Sequence, residues 1–205
     1  ALPISYTLLY EVSKDDSVGK RLYYLLDLIK NKIYSDKDHT LKVFFDANWN
    51  ETIEMQSYGH DIEGSWLIDR AAEVLGDKNL IDSTHAYTLK IAENIYKNAY
   101  SPLGVINETA KGITDYGRVW WVQAESVVGF YNAFEKTGDI KYLKAAQELW
   151  SYIKKFVVDK RENSEWYWKL AKDNSPIVNM PIVEPWKCPY HNGRMCIEII
   201  ERMGR

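Results

Sequence analysis

Apolar positions recur with a helical period in three stretches of the chain, and the three stretches are in register. Ile29, Ile91 and Ile153 are spaced 62 residues apart, as are Ile33, Ile95 and Val157. The members of each pair lie four residues apart and share one helix face. Asp15, Asp77 and Asp139 open the runs at the same spacing, the last two directly after a glycine. An aspartate there predicts an N-cap or first-turn position, because its carboxylate accepts the N–H groups that a helix start leaves unpaired.

After each run comes a short extended-looking stretch, at 41–45, 103–107 and 165–168, read as loop or brief strand. A second helix follows each stretch, at 59–75, 117–136 and 190–203. The first ten residues read as helix too. One helix pair per repeat predicts an all-α architecture of stacked hairpins. A lone hairpin cannot bury its apolar face, so the pairs are expected to belong to an (α/α)6 toroid. Residues 1–205 form one domain in this reading and supply about half of the ring, as a fragment of a longer protein. The alternative is a small solenoid complete in three pairs.

Composition narrows the chemistry. With 46% hydrophobic residues the chain can bury a core. Its net charge of −3 comes from 26 basic and 29 acidic residues dispersed along the sequence. No basic block follows a phosphate backbone, which argues against nucleic acid as a partner. No apolar run reaches the ~18 residues of a membrane span, and Cys188 and Cys196 are too few for a disulfide framework. A soluble, cytoplasmic protein is expected. Eight tryptophans and fifteen tyrosines raise a carbohydrate partner, since aromatic rings stack on sugar faces as readily as they fill cores.

Two of the four histidines carry the candidate chemistry. His60 precedes Glu63 by three residues and His191 precedes Arg194 by three, so each imidazole shares a helix face with a charged group. Glu125 falls 62 residues after Glu63, which places Glu63, Glu125 and Arg194 at one level of the second helices. Imidazole exchanges protons near neutral pH, and two such placements predict paired acid/base catalysis. Trp120 and Trp121 cannot share a helix face. Trp121, four residues before Glu125, is assigned to the cavity and Trp120 to the core. Trp186, between Pro185 and Pro189, is a candidate for stacking on a sugar or for plugging the helix entrance. His39 and His85 read as structural, and the spacing of Cys188, His191 and Cys196 matches no standard zinc site. Neither a phosphate-binding glycine loop nor a serine elbow is present.

Three blocks carry a family resemblance. They are Ser57-Tyr58-Gly59-His60-Asp61-Ile62-Glu63, then Arg118-Val119-Trp120-Trp121-Val122-Gln123-Ala124-Glu125, and then Trp186-Lys187-Cys188-Pro189-Tyr190-His191-Asn192-Gly193-Arg194. In these blocks the chain resembles the cellobiose 2-epimerases of the N-acylglucosamine 2-epimerase superfamily, over the C-terminal half of the family's ring. The resemblance implies reversible inversion at C2 of the reducing-end glucose of cellobiose, and of related disaccharides such as lactose, without metal or cofactor. It implies His60 and His191 as the acid/base pair with Glu63 in support, and Trp121, Glu125, Trp186 and Arg194 around the sugar. An arginine and a further histidine expected from the family's other half are absent here. Competing readings are an N-acylglucosamine 2-epimerase or mannose isomerase, an inverting glycosidase using Glu63 and Glu125, and a noncatalytic sugar-binding protein.

Overall fold

A computed structural model describes residues 2–204. Helix α1 (Leu2–Ser13) leads into α2 (Asp16–Leu28), followed by α3 (Tyr58–Leu75), α4 (Lys78–Asn98), α5 (Trp120–Thr137), α6 (Ile140–Tyr152) and α7 (Tyr190–Met203). Helices α1, α3, α5 and α7 pack side by side as an inner layer, and α2, α4 and α6 lie outside them. The result is about half of an (α/α)6 toroid, as the repeat predicts. Both α2 and α6 widen into a π turn, Ile29–Ile33 and Ile153–Val157, at equivalent repeat positions.

The tight turns join each inner helix to the outer helix that follows it. Gly76 (φ 75°) and Gly138 (φ 66°) end α3 and α5 in the left-handed region, where the absence of a Cβ removes the steric cost. Lys14 holds the same place after α1 with φ 52°. The aspartate that follows each turn caps the next helix. Asp15 Oδ1 accepts from Ser17 N at 2.8 Å, Asp77 Oδ1 from Asn79 N at 2.9 Å, and Asp139 Oδ1 from Lys141 N at 3.0 Å.

The registered apolar positions form the core. Ile91, Ile95, Ile153 and Val157 are fully buried and Ile29 nearly so. One apolar cluster lies between α3, α5 and α6 around Ile62, Trp66, Phe130 and Leu149, and a second lies under α2 and α4 around Leu22, Leu26 and Ile68. Gly129 lets α5 approach α3, since a Cβ there would stand 2.8 Å from Ile62 Cδ1. Away from the site, Asp69 is buried and accepts from Thr88 Oγ1 at 2.6 Å and Asn132 Nδ2 at 2.8 Å, with the Lys136 ammonium in contact. A buried carboxylate needs such partners.

Short strands brace the loops. β1 (Tyr34–Ser35) pairs with β2 (Thr40–Leu41), and β3 (Met55–Ser57) belongs to a separate sheet. β4 (Tyr100–Ser101) pairs with β5 (Gly104–Val105). β6 (Glu108–Ala110) lies between β3 and β7 (Ile113–Asp115) in an antiparallel sheet with Ser57 opposite Glu108. β8 (Arg118–Val119) pairs with β9 (Lys169–Leu170). The second predicted inner helix therefore begins at Trp120 rather than at residue 117, because residues 118 and 119 spend their backbone groups on β9. Among the described residues, no helix is long and apolar enough to cross a membrane.

Candidate active site

Strands β3 and β8 hand the chain into α3 and α5 and a loop hands it into α7, and the reactive side chains stand in the first turns of these helices. His60 is the third residue of α3, Trp121 the second of α5 and His191 the second of α7. Helices α3, α5 and α7 are neighbours, so these residues converge at one rim. The Trp121 ring centroid lies 5.0 Å from that of His60 and 5.3 Å from that of His191. Trp120, on the other face of α5, is buried in the core as expected.

Each imidazole is fixed through Nδ1. His191 Nδ1 lies 2.7 Å from Glu125 Oε1, and since a carboxylate can only accept, Nδ1 carries the proton. His60 Nδ1 lies 2.7 Å from Ser57 Oγ. Neither Nε2 has a hydrogen-bond partner among the described residues. Burial lowers the His60 pKa and the neighbouring His191 adds to this, against the opposing pull of Glu63.

Glu125, 1% exposed, is the hub of the cluster. Oε1 accepts from His191 and from Arg194 Nη2 at 2.6 Å, while Oε2 accepts the Trp66 indole N–H at 3.0 Å. Arg194 Nη2 also donates to Glu63 Oε1, and Tyr190 Oη donates to the same oxygen at 3.4 Å. Burial opposes the charge of Arg194, but Glu125 and Glu63 outweigh it and raise its pKa. The guanidinium lies 4.7 Å from the Tyr190 ring and 5.2 Å from the Trp66 ring. Burial, reinforced by Glu63, pushes the Tyr190 phenol up to about 12, so it remains a neutral donor.

The chain is similar to known proteins in sequence and in fold. The N-acylglucosamine 2-epimerase (GlcNAc 2-epimerase) family profile matches residues 6–192. The chain belongs to this family. It is 48% identical over 199 residues to a cellobiose 2-epimerase of Dictyoglomus turgidum, covering 97% of this chain and 51% of that protein. A cellobiose 2-epimerase of Ruminococcus albus is 46% identical over 198 residues, with the same coverage. Among solved structures, a sugar epimerase from a ruminal bacterium superposes with a TM-score of 0.96 at 45% identity, covering 98% of this chain and 52% of that one. The cellobiose 2-epimerase of Bacillus thermoamylovorans superposes with a TM-score of 0.91 at 44% identity, covering 98% and 51%. The chain thus spans about half the length of the relatives it matches.

Within this member of the N-acylglucosamine 2-epimerase family, His60, Glu63, Trp121, Glu125, His191 and Arg194 form one contiguous cluster. Trp186 stands apart from it, 83% exposed on the loop before α7. The next residue, Lys187, is buried beneath that loop, its ammonium bonded to Glu165 and, at 2.7 Å, to Ile182 O. His39 bonds Tyr34 Oη at 2.8 Å and His85 bonds Glu73 at 3.2 Å, both outside the cluster.

Glu63, Glu125 and His191 offer donor atoms within 4.8 Å of one another, the spacing of a cation site. Arg194 already supplies the positive charge between the two carboxylates. Sequence reasoning assigned no role to Trp66 or Ser57. Trp66 lies three residues after Glu63, on the face that carries the cluster, and that spacing is the signal that could have found it.

Proposed function

We propose that this chain carries the acid/base machinery of a sugar 2-epimerase that inverts C2 of the reducing-end glucose in β-1,4-linked disaccharides of the cellobiose type, giving the mannose epimer. The observation that carries the reading is the pair of imidazoles packed on one indole, each with Nδ1 engaged and Nε2 unengaged. Once the sugar ring opens, the proton on C2 lies α to the C1 aldehyde and can be removed. The electrons left on C2 form the enediolate, whose charge is spread onto O1. One Nε2 takes the proton, and the other histidine, as imidazolium, returns a proton to the opposite face of C2. Atoms and charge balance over the cycle, so no redox partner enters.

Desolvation and the nearby His191 lower the His60 pKa against the pull of Glu63, which favours its free base. Glu125 keeps the His191 ring in one tautomer and balances the imidazolium that forms when that ring gains a proton. Glu63, paired with Arg194, supports the charge at the same level. We place the indole of Trp121 against the sugar and assign Trp186 to the outer, more exposed end of a disaccharide. The relatives named cellobiose 2-epimerase support the substrate class. Two free, exposed cysteines fit a reducing, cytoplasmic setting.

The test is a pair of variants, His60→Asn and His191→Asn, assayed for cellobiose epimerisation and for sugar binding by calorimetry. Loss of turnover with binding retained supports the reading. Turnover that survives either substitution removes that histidine from the chemistry.

A further inference from the structure

Ser57 occupies the N-cap position of α3 in extended geometry (φ −99°, ψ 104°). A serine there ordinarily accepts a backbone N–H from the first helical turn. Ser57 caps nothing. Its Oγ is instead 2.7 Å from His60 Nδ1. The aspartates at the starts of α2, α4 and α6 do accept backbone N–H groups. Helices α5 and α7 start without a side-chain cap at Val119 and Pro189, which offer no side-chain acceptor, whereas Ser57 has one and turns it to His60. Ser57 is 3% exposed and held rigidly, opposite Glu108 in the sheet, with the following N–H of Tyr58 bonded to Asn107 O at 3.3 Å.

We propose that Ser57 is a positioning residue for His60, giving up its cap role to hold Nδ1 so that Nε2 is the nitrogen presented for proton transfer. The inference rests on the C2-epimerase reading for its functional consequence. A hydroxyl both donates and accepts. Accepting from Nδ1–H, it keeps that proton on Nδ1 in both the neutral and the cationic ring, because the proton moved in catalysis sits on Nε2. Glu125, which can only accept, likewise commits Nδ1 of His191 to the N–H form. The two imidazoles are thus chemically unequal. One is held by an anion that balances its imidazolium and the other by a neutral hydroxyl that fixes the ring without adding charge.

The experiment compares Ser57→Ala and Ser57→Thr with the unaltered full chain. Two-bond ¹⁵N–¹H NMR on ¹⁵N-histidine-labelled protein reads the tautomer balance of His60, assigned against His60→Asn, and thermal melts are taken in parallel. The unaltered chain should hold one dominant neutral tautomer, Ser57→Ala a mixture, and Ser57→Thr the original balance. Wherever cellobiose turnover is measurable, kcat should fall ~10- to 100-fold in Ser57→Ala, as for other groups that orient a reactive histidine, with KM little changed. An unchanged tautomer balance in Ser57→Ala overturns the proposal, and so does a lowered melting temperature with unchanged NMR signals, which would mark Ser57 as a helix cap. A chain that shifts tautomer as expected but never exchanges the C2 proton of cellobiose would sink the epimerase reading and leave the positioning role standing.

Discussion

A methyl group on Gly59 would lie 2.6 Å from Cζ3 of Trp121, so the bare backbone of α3 is what seats the indole. The same Cβ would stand 2.7 Å from Val122 Cγ2. Helix propensity alone favours alanine over glycine by ~1 kcal/mol in a helix interior. Contact with a rigid ring wins here, and Gly59→Ala should push Trp121 out of its seat beside the two imidazoles. Cellobiose turnover should fall ~100-fold, the scale of a 1 Å misplacement at a catalytic centre, while circular dichroism keeps its helical signal. Full activity in this variant would show that the seat of Trp121 does not matter.

Lys14 pays a left-handed backbone cost that Gly76 and Gly138 avoid at the equivalent turns. A non-glycine residue in that region loses ~1–2 kcal/mol. Lys14→Gly should therefore stabilise the chain by about 1 kcal/mol even after losing the contact between the Lys14 ammonium and the Tyr10 ring. A thermal melt should rise by ~2–4 °C for a chain of this size. Lys14→Ala, which keeps the Cβ, should show no such gain.

Asp61 makes stability depend on pH. Its wholly buried carboxyl accepts from Leu41 N at 2.7 Å and Gln56 Nε2 at 3.0 Å, but burial outweighs both bonds and pushes its pKa from 3.8 up to about 7. Between those values the folded chain binds the proton that the unfolded chain has released. Its contribution to stability is therefore full below the lower value, declines as pH rises through the window and is lost above it. Urea unfolding at pH 5 and pH 8 should show the unaltered chain less stable at pH 8, and Asp61→Asn, with the Gln56 amide turned over to accept, should narrow the gap. An equal gap in both proteins would contradict this account.

Lys136 and Asp69 form a buried pair that ties α5 to α3. Lys136→Met leaves Asp69 charged among neutral donors and should destabilise the fold by ~3–5 kcal/mol. Adding Asp69→Asn, which removes the orphaned charge, should recover most of that loss. Chemical denaturation of the single and double variants decides it, and equal stabilities would place the pair outside the fold's energetics.

The 62-residue register, the aspartate caps and the placement of Glu63, Glu125 and Arg194 at one level were legible because helices write a period into sequence, and residues three or four apart must share a face. Trp120 in the core and Trp121 beside the histidines follow from the same geometry. Trp66 shares the cluster's face with Glu63 three residues before it, but its partner does not show, because the bond to Glu125 spans 59 residues and leaves no periodic trace. Nor does Ser57, whose position advertises a helix cap while its hydroxyl serves His60. Strands of two residues such as Arg118–Val119 are too short to show alternation, so the start of α5 was read early. The proline-flanked position of Trp186 suggests stacking or a plug at the helix entrance, but does not show that the side chain stands exposed while the adjacent Lys187 is buried.

The central claim is proton transfer at C2, and deuterium reads it directly. Cellobiose is incubated in deuterated water with this chain alone and with the chain set within a full-length ring of the family, and the C2 proton is followed by NMR. The account predicts loss of the C2 proton signal together with appearance of the mannose-type epimer, abolished by His60→Asn or His191→Asn. Epimer formed with the original proton retained at C2, or no exchange in either protein, would contradict it.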